Sequence, residues 1–427
     1  MLDIKYIRDH REELKENYVH RRATADIDEL LALDDKRRAM IAEVDALRST
    51  RNHGSKGRPS DTEILRMRQI GEEIKEKEAE LQKIEEKYRL LLSRMPNRIH
   101  PDTPIGNDEA GNVVVRTIGN PPAFSFPPKE HWDLGAMRGL IDTERAAKVS
   151  GSRFAYLKSD LVRLQFALIQ HVLSFVTNEP ALKRIIKKQK LGVSSRPFTP
   201  VIPPVMIRPE IMQKMARLEP KEERYHIPSD DLYLVGSAEH TLGPIHMDET
   251  IEEKNLPIRY LGYSTAFRRE AGSYGKDTKG ILRLHQFDKL EFESFTTAEQ
   301  GEEEQNFLIA LQEHLMQSLG IPYRVVRKCT GDMGAPDYRE FDIEAWLPGQ
   351  KTYRETHTSD YMTDYQSRRL NIKVKKENGQ TEFAHMNDAT VFAIGRTLIA
   401  IMENYQKHDG RIAIPKVLQP YLGKKIV

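Results

Sequence analysis

Between residues 27 and 95, apolar side chains recur at spacings of three and four. Leu30, Leu33, Met40, Val44 and Leu47 mark the first half, and Met67, Ile70, Ile74, Leu81, Ile84, Tyr88 and Leu91 the second. Such a period puts one apolar stripe along a helix, with Arg37 and Lys77 filling the two seam positions that lack an apolar residue. Between the halves, residues 49–60 carry Gly54, Gly57 and Pro59, which no helix continues through. Two narrow-seamed helices joined by one turn predict an antiparallel coiled-coil hairpin of roughly 30 residues and on the order of 45 Å per arm. Each helix buries one stripe and leaves the rest wet, so the hairpin is expected to project from the body.

After Met95-Pro96-Asn97 the pattern changes. Residues 106–130 are rich in proline and glycine and read as a linker with at most one short strand, Val113–Val115. Leu161, Leu164, Leu168, Val172 and Phe175 predict a core-facing helix, and further helices are expected at 302–319 and 396–408. Strands are expected at 232–235, 283–293, 341–347 and 372–375. The proline-broken stretch Pro200–Met206 suits a sheet edge or an interface. Few βαβ alternations occur, which predicts an α+β chain built on an antiparallel sheet. The expected organisation is an N-terminal domain 1–105 containing the hairpin 27–95, a linker 106–130, and a second domain 131–427.

A net charge of +2 means that any nucleic-acid contact must rest on a local patch. The hairpin turn supplies one, with Arg48, Arg51, His53, Lys56 and Arg58 and no acidic residue among them; a plain dimerisation coil is the alternative. The single cysteine, Cys329, excludes a disulfide framework and reads as a structural thiol in a reducing compartment. No signal-peptide run or membrane span is evident, so a cytoplasmic protein with no membrane partner is expected. G-x-G-x-x-G and P-loop patterns are missing, which argues against Rossmann and P-loop nucleotide sites.

The richest chemistry lies in Phe267-Arg268-Arg269-Glu270-Ala271-Gly272, followed by Arg283 and by Gln286-Phe287-Asp288-Lys289-Leu290-Glu291. Forked guanidinium groups suit phosphate, a glutamate accepts from an amine, and Phe287 offers a face for a base. An exposed charged hairpin is the competing reading.

These segments resemble motif 2 of the class II aminoacyl-tRNA synthetases, and the order of the others is similar to the seryl-tRNA synthetase family. The resemblance includes Gly151-Ser152-Arg153-Phe154, Pro203 at the motif 1 proline, Cys329–Gly334, Trp346–Gln350, Thr352-Tyr353-Arg354-Glu355, and Gly395-Arg396-Thr397 opening motif 3. It implies a class II catalytic domain with an antiparallel sheet flanked by helices, a homodimer, and the partners L-serine, ATP and tRNA(Ser). Loading of tRNA(Sec) is left open. Arg268 would bridge the α-phosphate and the substrate carboxylate, and Glu270 would meet the adenine amine. Phe287 and Arg396 would enclose the base, Arg283 would compensate phosphate charge, and Arg269 would also belong to the ATP site. Residues Glu355, Thr356, His357 and Thr358 fall in the ATP site, with Glu355 and Thr358 as Mg2+ ligands. Ser237, Ala238, Glu239, Glu291 and Thr390 would hold serine. The hairpin tip would grip tRNA through Arg48, Arg51, Lys56 and Arg58.

The chain departs from the family pattern at Glu355–Tyr361 and His385–Val391. Asp388 stands at the place of an amide bordering the amino-acid site, where an added carboxylate either strengthens ammonium binding or changes which amino acid is held. Two rivals follow: a related ligase for another small amino acid, and a non-catalytic tRNA-binding relative. The latter sits poorly with the presence of Arg268, Glu355 and Arg396 together.

Overall fold

The computed structural model describes residues 1–54, 60–271, 277 and 279–427. Two compact units divide the chain, Met1–Arg98 and Ile99–Val427. The first contains α1 (Ile4–Asp9), α2 (Arg11–His20) and the long pair α3 (Ile27–Gly54) and α4 (Asp61–Arg94). Ser60 starts α4 with a reciprocal cap: its backbone amide donates to Glu63 Oε2 at 2.7 Å, while its side chain accepts from the Glu63 amide at 3.4 Å. Leu30, Met40, Val44, Ile70, Ile74, Ile84 and Tyr88 are buried in the seam as expected.

The polar seam positions have specific partners. The Arg37 guanidinium lies 4.7 Å from the Tyr88 ring centroid, and Lys77 Nζ reaches Glu43 Oε2 at 2.7 Å. Leu31, Asp34 and Leu92 are buried where Leu33 and Leu91 were expected, and these last two are only half-buried. Asp34 tolerates burial because Arg8 and Arg37 bind it at 2.9 and 3.1 Å.

The second unit is built on an eight-stranded sheet. Its strands are β1 (Val113–Ile118), β2 (Thr199–Val201), β3 (Ile258–Phe267), β4 (Gln286–Thr296), β5 (Tyr323–Arg327), β6 (Arg339–Leu347), β7 (Thr352–Thr363) and β8 (His385–Ala393). Their spatial order is β1-β5-β6-β7-β8-β4-β3-β2, antiparallel throughout except for the parallel β2/β3 pair. Residues 106–130 are therefore more than a linker. They contribute an edge strand, and the chain is tied to the second unit as early as His100, whose amide donates to Tyr338 O at 2.9 Å. The proline-broken segment does form the opposite edge, because Pro200 in β2 has no amide to offer a further strand. The strand expected at 283–293 begins at Gln286 and runs to Thr296, since residues 283–285 belong to the preceding loop.

Helices α5 (Asp160–Val176), α7 (Gly301–Leu319) and α8 (Ile394–Asn404) cover one face of the sheet; a short α6 (Glu239–Leu242) lies between α5 and α7 in sequence. Leu290 and Phe292 of β4, Ile343 of β6 and Val391 of β8 pack into that core with Leu164, Leu308, Leu311 and Leu398. Strand alternation sends Phe287, Lys289, Glu291 and Glu293 of β4 to the other face. Buried Cys329 is a free thiol whose Sγ lies 3.1 Å from Asp108 O. Among the described residues, no helix is long and apolar enough to cross a membrane.

Candidate active site

Two β-bulges shape the open face. In the β6/β7 pair Glu344 meets Glu355 while Ile343 meets His357, so Thr356 is the extra residue. Regular alternation would send Glu355 and Thr358 to opposite faces; one inserted residue brings both into the same cleft. In β4/β8, Leu290 meets Phe392 and Glu291 meets Thr390, which leaves Val391 as the insertion and puts Thr390 and Ala393 on the cleft side. Gln312 of α7 clamps the two strands from the core face, donating to Thr358 O at 2.9 Å and Thr390 O at 2.7 Å.

One side of the cleft is cationic. It is lined by Arg268, Glu270, Arg283, Phe287, Glu355, Thr358 and Arg396, among others. Arg268 Nε donates to Gly236 O at 3.0 Å, and its guanidinium sits 5.5 Å from the Phe287 ring centroid. The hairpin is pinned where the Arg268 amide meets His285 O at 3.0 Å. Glu270 adopts φ 51° and accepts from Arg283 at 3.1 Å; Arg283 also donates to Asp277 at 3.1 Å. Arg396 pairs with Glu355 at 2.9 Å. Desolvation works to raise the Glu355 carboxyl, but Arg396, Lys328 and Arg268 hold it below its ordinary range.

The other side is buried and acidic. Ser237 Oγ donates to Glu291, accepts from Lys289 Nζ at 2.9 Å, and Lys289 also pairs with Glu291. The Glu239 amide donates to Glu291 Oε2 at 3.2 Å, so the first turn of α6 is fastened to β4. Ala238 is fully buried and contributes shape only. Glu239 binds Arg217 Nε at 2.8 Å. Burial opposes its charge, but Arg217 and then His240 hold the Glu239 carboxyl well below its ordinary range. Desolvation, followed by the Glu239 and Asp360 charges, pushes Asp388 well above its own range, and it shares a hydrogen bond with Glu239.

The structure thus gathers Arg268, Glu270, Arg283, Phe287, Glu355, Thr358, Thr390 and Arg396 around one cleft, with Ser237, Glu239 and Glu291 at its buried acidic end. It does not bring Arg269 there: that guanidinium stacks 5.5 Å from the Tyr225 ring centroid. Nor does it bring His357, which faces the core edge-on to Phe392 and is held neutral by desolvation with its pKa lowered to about 3. Thr356 borders the cleft but spends its hydroxyl on Ile343 O at 3.0 Å. In the first unit, Arg51 is exposed, whereas Arg48 is paired with Glu78 at 2.7 Å. Lys56 and Arg58 lie outside the described residues. Sequence reasoning missed Arg217, Glu293 and Gln312. Gln312 and Gln305, seven residues apart on a predicted helix, were the one available signal, since both face the core.

Comparison with known proteins follows the same division. Residues 1–99 match the seryl-tRNA synthetase N-terminal domain, and residues 223–405 match the tRNA synthetase class II core domain of the G, H, P, S and T enzymes. Serine–tRNA ligase of Dictyoglomus thermophilum is 42% identical, covering 99% of this chain and 98% of its own length. That of Symbiobacterium thermophilum is 38% identical over the same shares. The crystal structure of seryl-tRNA synthetase from Pyrococcus horikoshii complexed with ATP has a TM-score of 0.90 at 38% identity, covering 100% of this chain and 99% of that one.

Proposed function

As a member of the seryl-tRNA synthetase family, the chain is a serine–tRNA ligase that activates serine with ATP and transfers it to tRNA, and we propose that the cleft residues divide this work as follows. Arg268 holds the α-phosphate and the substrate carboxylate together, because a forked cation anchored at Gly236 presents its free N–H groups to the cleft. Phe287 and Arg396 enclose the adenine, Glu270 accepts from its amine, and Arg283 balances phosphate charge. Thr390, Glu291 and Glu239 take the hydroxyl and ammonium of serine at the acidic end. The observation that carries this division is the pair of bulges, which aligns the phosphate-side and amino-acid-side groups on one face.

Glu355 and Thr358 suit Mg2+: both are hard oxygen donors on the same face, and Glu355 remains exposed beside Arg396. Bound there, Mg2+ would neutralise phosphate charge. Attack by the serine carboxylate then depends on Arg268 keeping the two reactants in line. The α3/α4 hairpin is the tRNA-gripping part, with Arg51 at its open end. A homodimer is supported by the β2 edge, where Ile202 beside Pro203 is 82% exposed. A cytoplasmic location is consistent with the free thiol of Cys329.

Serine-dependent exchange of pyrophosphate into ATP tests the reading. Exchange that requires serine and Mg2+ is expected, and its failure with folded protein overturns the assignment. Removal of residues 27–95 should abolish tRNA charging while exchange persists; loss of the dimer instead would mark the hairpin as a dimerisation coil.

A further inference from the structure

Four carboxyl side chains stand in one row across four neighbouring strands. Glu340 of β6 is opposite Asp360 of β7, Asp360 opposite Asp388 of β8, and Asp388 opposite Glu293 of β4. All four are buried. Like charges directly opposite one another destabilise a sheet, so the row demands compensation. Lys328 supplies it at one end, 2.8 Å from Glu340. In the middle the cation is Arg217, on the loop after the short helix Pro209–Lys214. Its Nη2 lies 3.5 Å from Asp388, 3.7 Å from Asp360 and 3.5 Å from Asp337, and its Nε lies 2.8 Å from Glu239. Two residues along β8 from Asp388, Thr390 faces Glu291 across the β8/β4 pair at the amino-acid end of the cleft.

We propose that Arg217 is a positioning residue for the amino-acid pocket: by bridging Glu239 and Asp388 it fixes the carboxyl pair beneath Thr390 and Glu291 and so sets affinity for the amino acid, but not for ATP. This rests on the assignment of serine to that end of the cleft. Arg217 reaches none of the cleft-lining cations or Phe287, and its guanidinium pairs with carboxylates of the acidic cluster, while its backbone accepts from Arg224 at 3.0 Å and donates to Met212 O at 3.2 Å. A purely structural role would disturb both substrates; a role in the pocket splits them. The asymmetry of its partners also makes a specific claim about coupling. Without the guanidinium, Glu239 keeps Asp388 as a neighbour, and two acids compete for one proton. An amide at 388 donates N–H to Glu239 whatever the pH, and relieves that competition.

Pyrophosphate exchange with serine and ATP varied separately tests this in full-length protein. R217Q should raise the serine KM on the order of tenfold or more and leave the ATP KM within about twofold. D388N is measured alone for comparison, and R217Q/D388N should bind serine better than R217Q. R217K, which keeps the charge and loses the fork, guards against a misfolded R217Q: its serine KM should rise about threefold or more, again without the ATP KM. A serine KM unchanged in R217K and R217Q, an ATP KM rising in step, or strictly additive effects would overturn the proposal. Absence of serine-dependent exchange in the unsubstituted protein would instead overturn the site assignment beneath it.

Discussion

The two ends of the cleft lie on one sheet face and are built in opposite ways. The end proposed for ATP is local and open: Arg268, Glu270, Arg283 and Phe287 come from one hairpin, and their charges are paired along its own loop. The end proposed for the amino acid is assembled and buried, drawing Arg217, Glu239, Glu291, Asp360 and Asp388 from five separate segments into direct ion pairs and hydrogen bonds. Solvent screens the first set and leaves each group tolerant of its neighbours. Burial couples the second set, because an ion without its partner there costs several kcal/mol. Chemistry common to all substrates of the class can sit on a solvated grip, whereas discrimination of a small side chain needs groups that cannot move independently.

Four substitutions would break or sharpen that contrast. R268A should have the largest effect, a loss on the order of a thousandfold in exchange at saturating serine, with thermal stability close to unchanged; an effect confined to the serine KM would erase the distinction between the ends. E355A should come next, raising the Mg2+ concentration for half-maximal exchange by about tenfold or more while the serine KM holds. T390V removes a hydroxyl at the acidic end and should raise the serine KM by roughly 5- to 150-fold, with discrimination against alanine falling in parallel. If alanine discrimination is untouched, Thr390 does not face the substrate side chain.

The smallest effect should appear in stability. Among the described residues, neither carboxyl oxygen of Glu293 has a hydrogen-bond partner. Desolvation, with Glu239 and Glu291 nearby, raises its pKa well above the ordinary value. The folded state therefore keeps a proton that the unfolded chain releases above about pH 4.3, and stability from this group is full below that pH and falls as pH rises toward the folded value. Gln does not titrate. E293Q should match the unsubstituted protein near pH 4 and exceed it by about 1 kcal/mol or more near pH 8 in denaturant titrations. A difference independent of pH would mean that Glu293 is ionised in the fold.

The same contrast explains what could be read in advance. Seam residues of α3 and α4 follow a 3.6-residue period, so the hairpin was legible, including the gaps at Arg37 and Lys77. Leu33 was misassigned because its neighbour Asp34 is buried instead, held by Arg8 of another helix and by Arg37. The gathering of Arg268, Glu270, Arg283 and Phe287 was legible because their chemistry is contiguous. His357 was drawn into the site by its position beside Glu355; the bulge at Thr356 turns it into the core. Arg217 carried no signal at all, since a lone arginine after a short helix is ordinary until four carboxyls are brought around it.

By itself the sequence determined the coiled-coil hairpin, the antiparallel class of the second unit, the edge character of Pro200–Met206 and the clustering of Arg268, Glu270, Arg283 and Phe287. Each depends on the period of a single segment or on groups within hydrogen-bonding reach along the chain. Only the tertiary structure decided that residues 113–118 join the sheet, that Glu355 and Thr358 share a face, and that Asp388 lies against Glu239 and Arg217. Those outcomes depend on strand register, where one inserted residue reverses a face, and on burial, where a charge is tolerated only beside a partner from elsewhere in the chain.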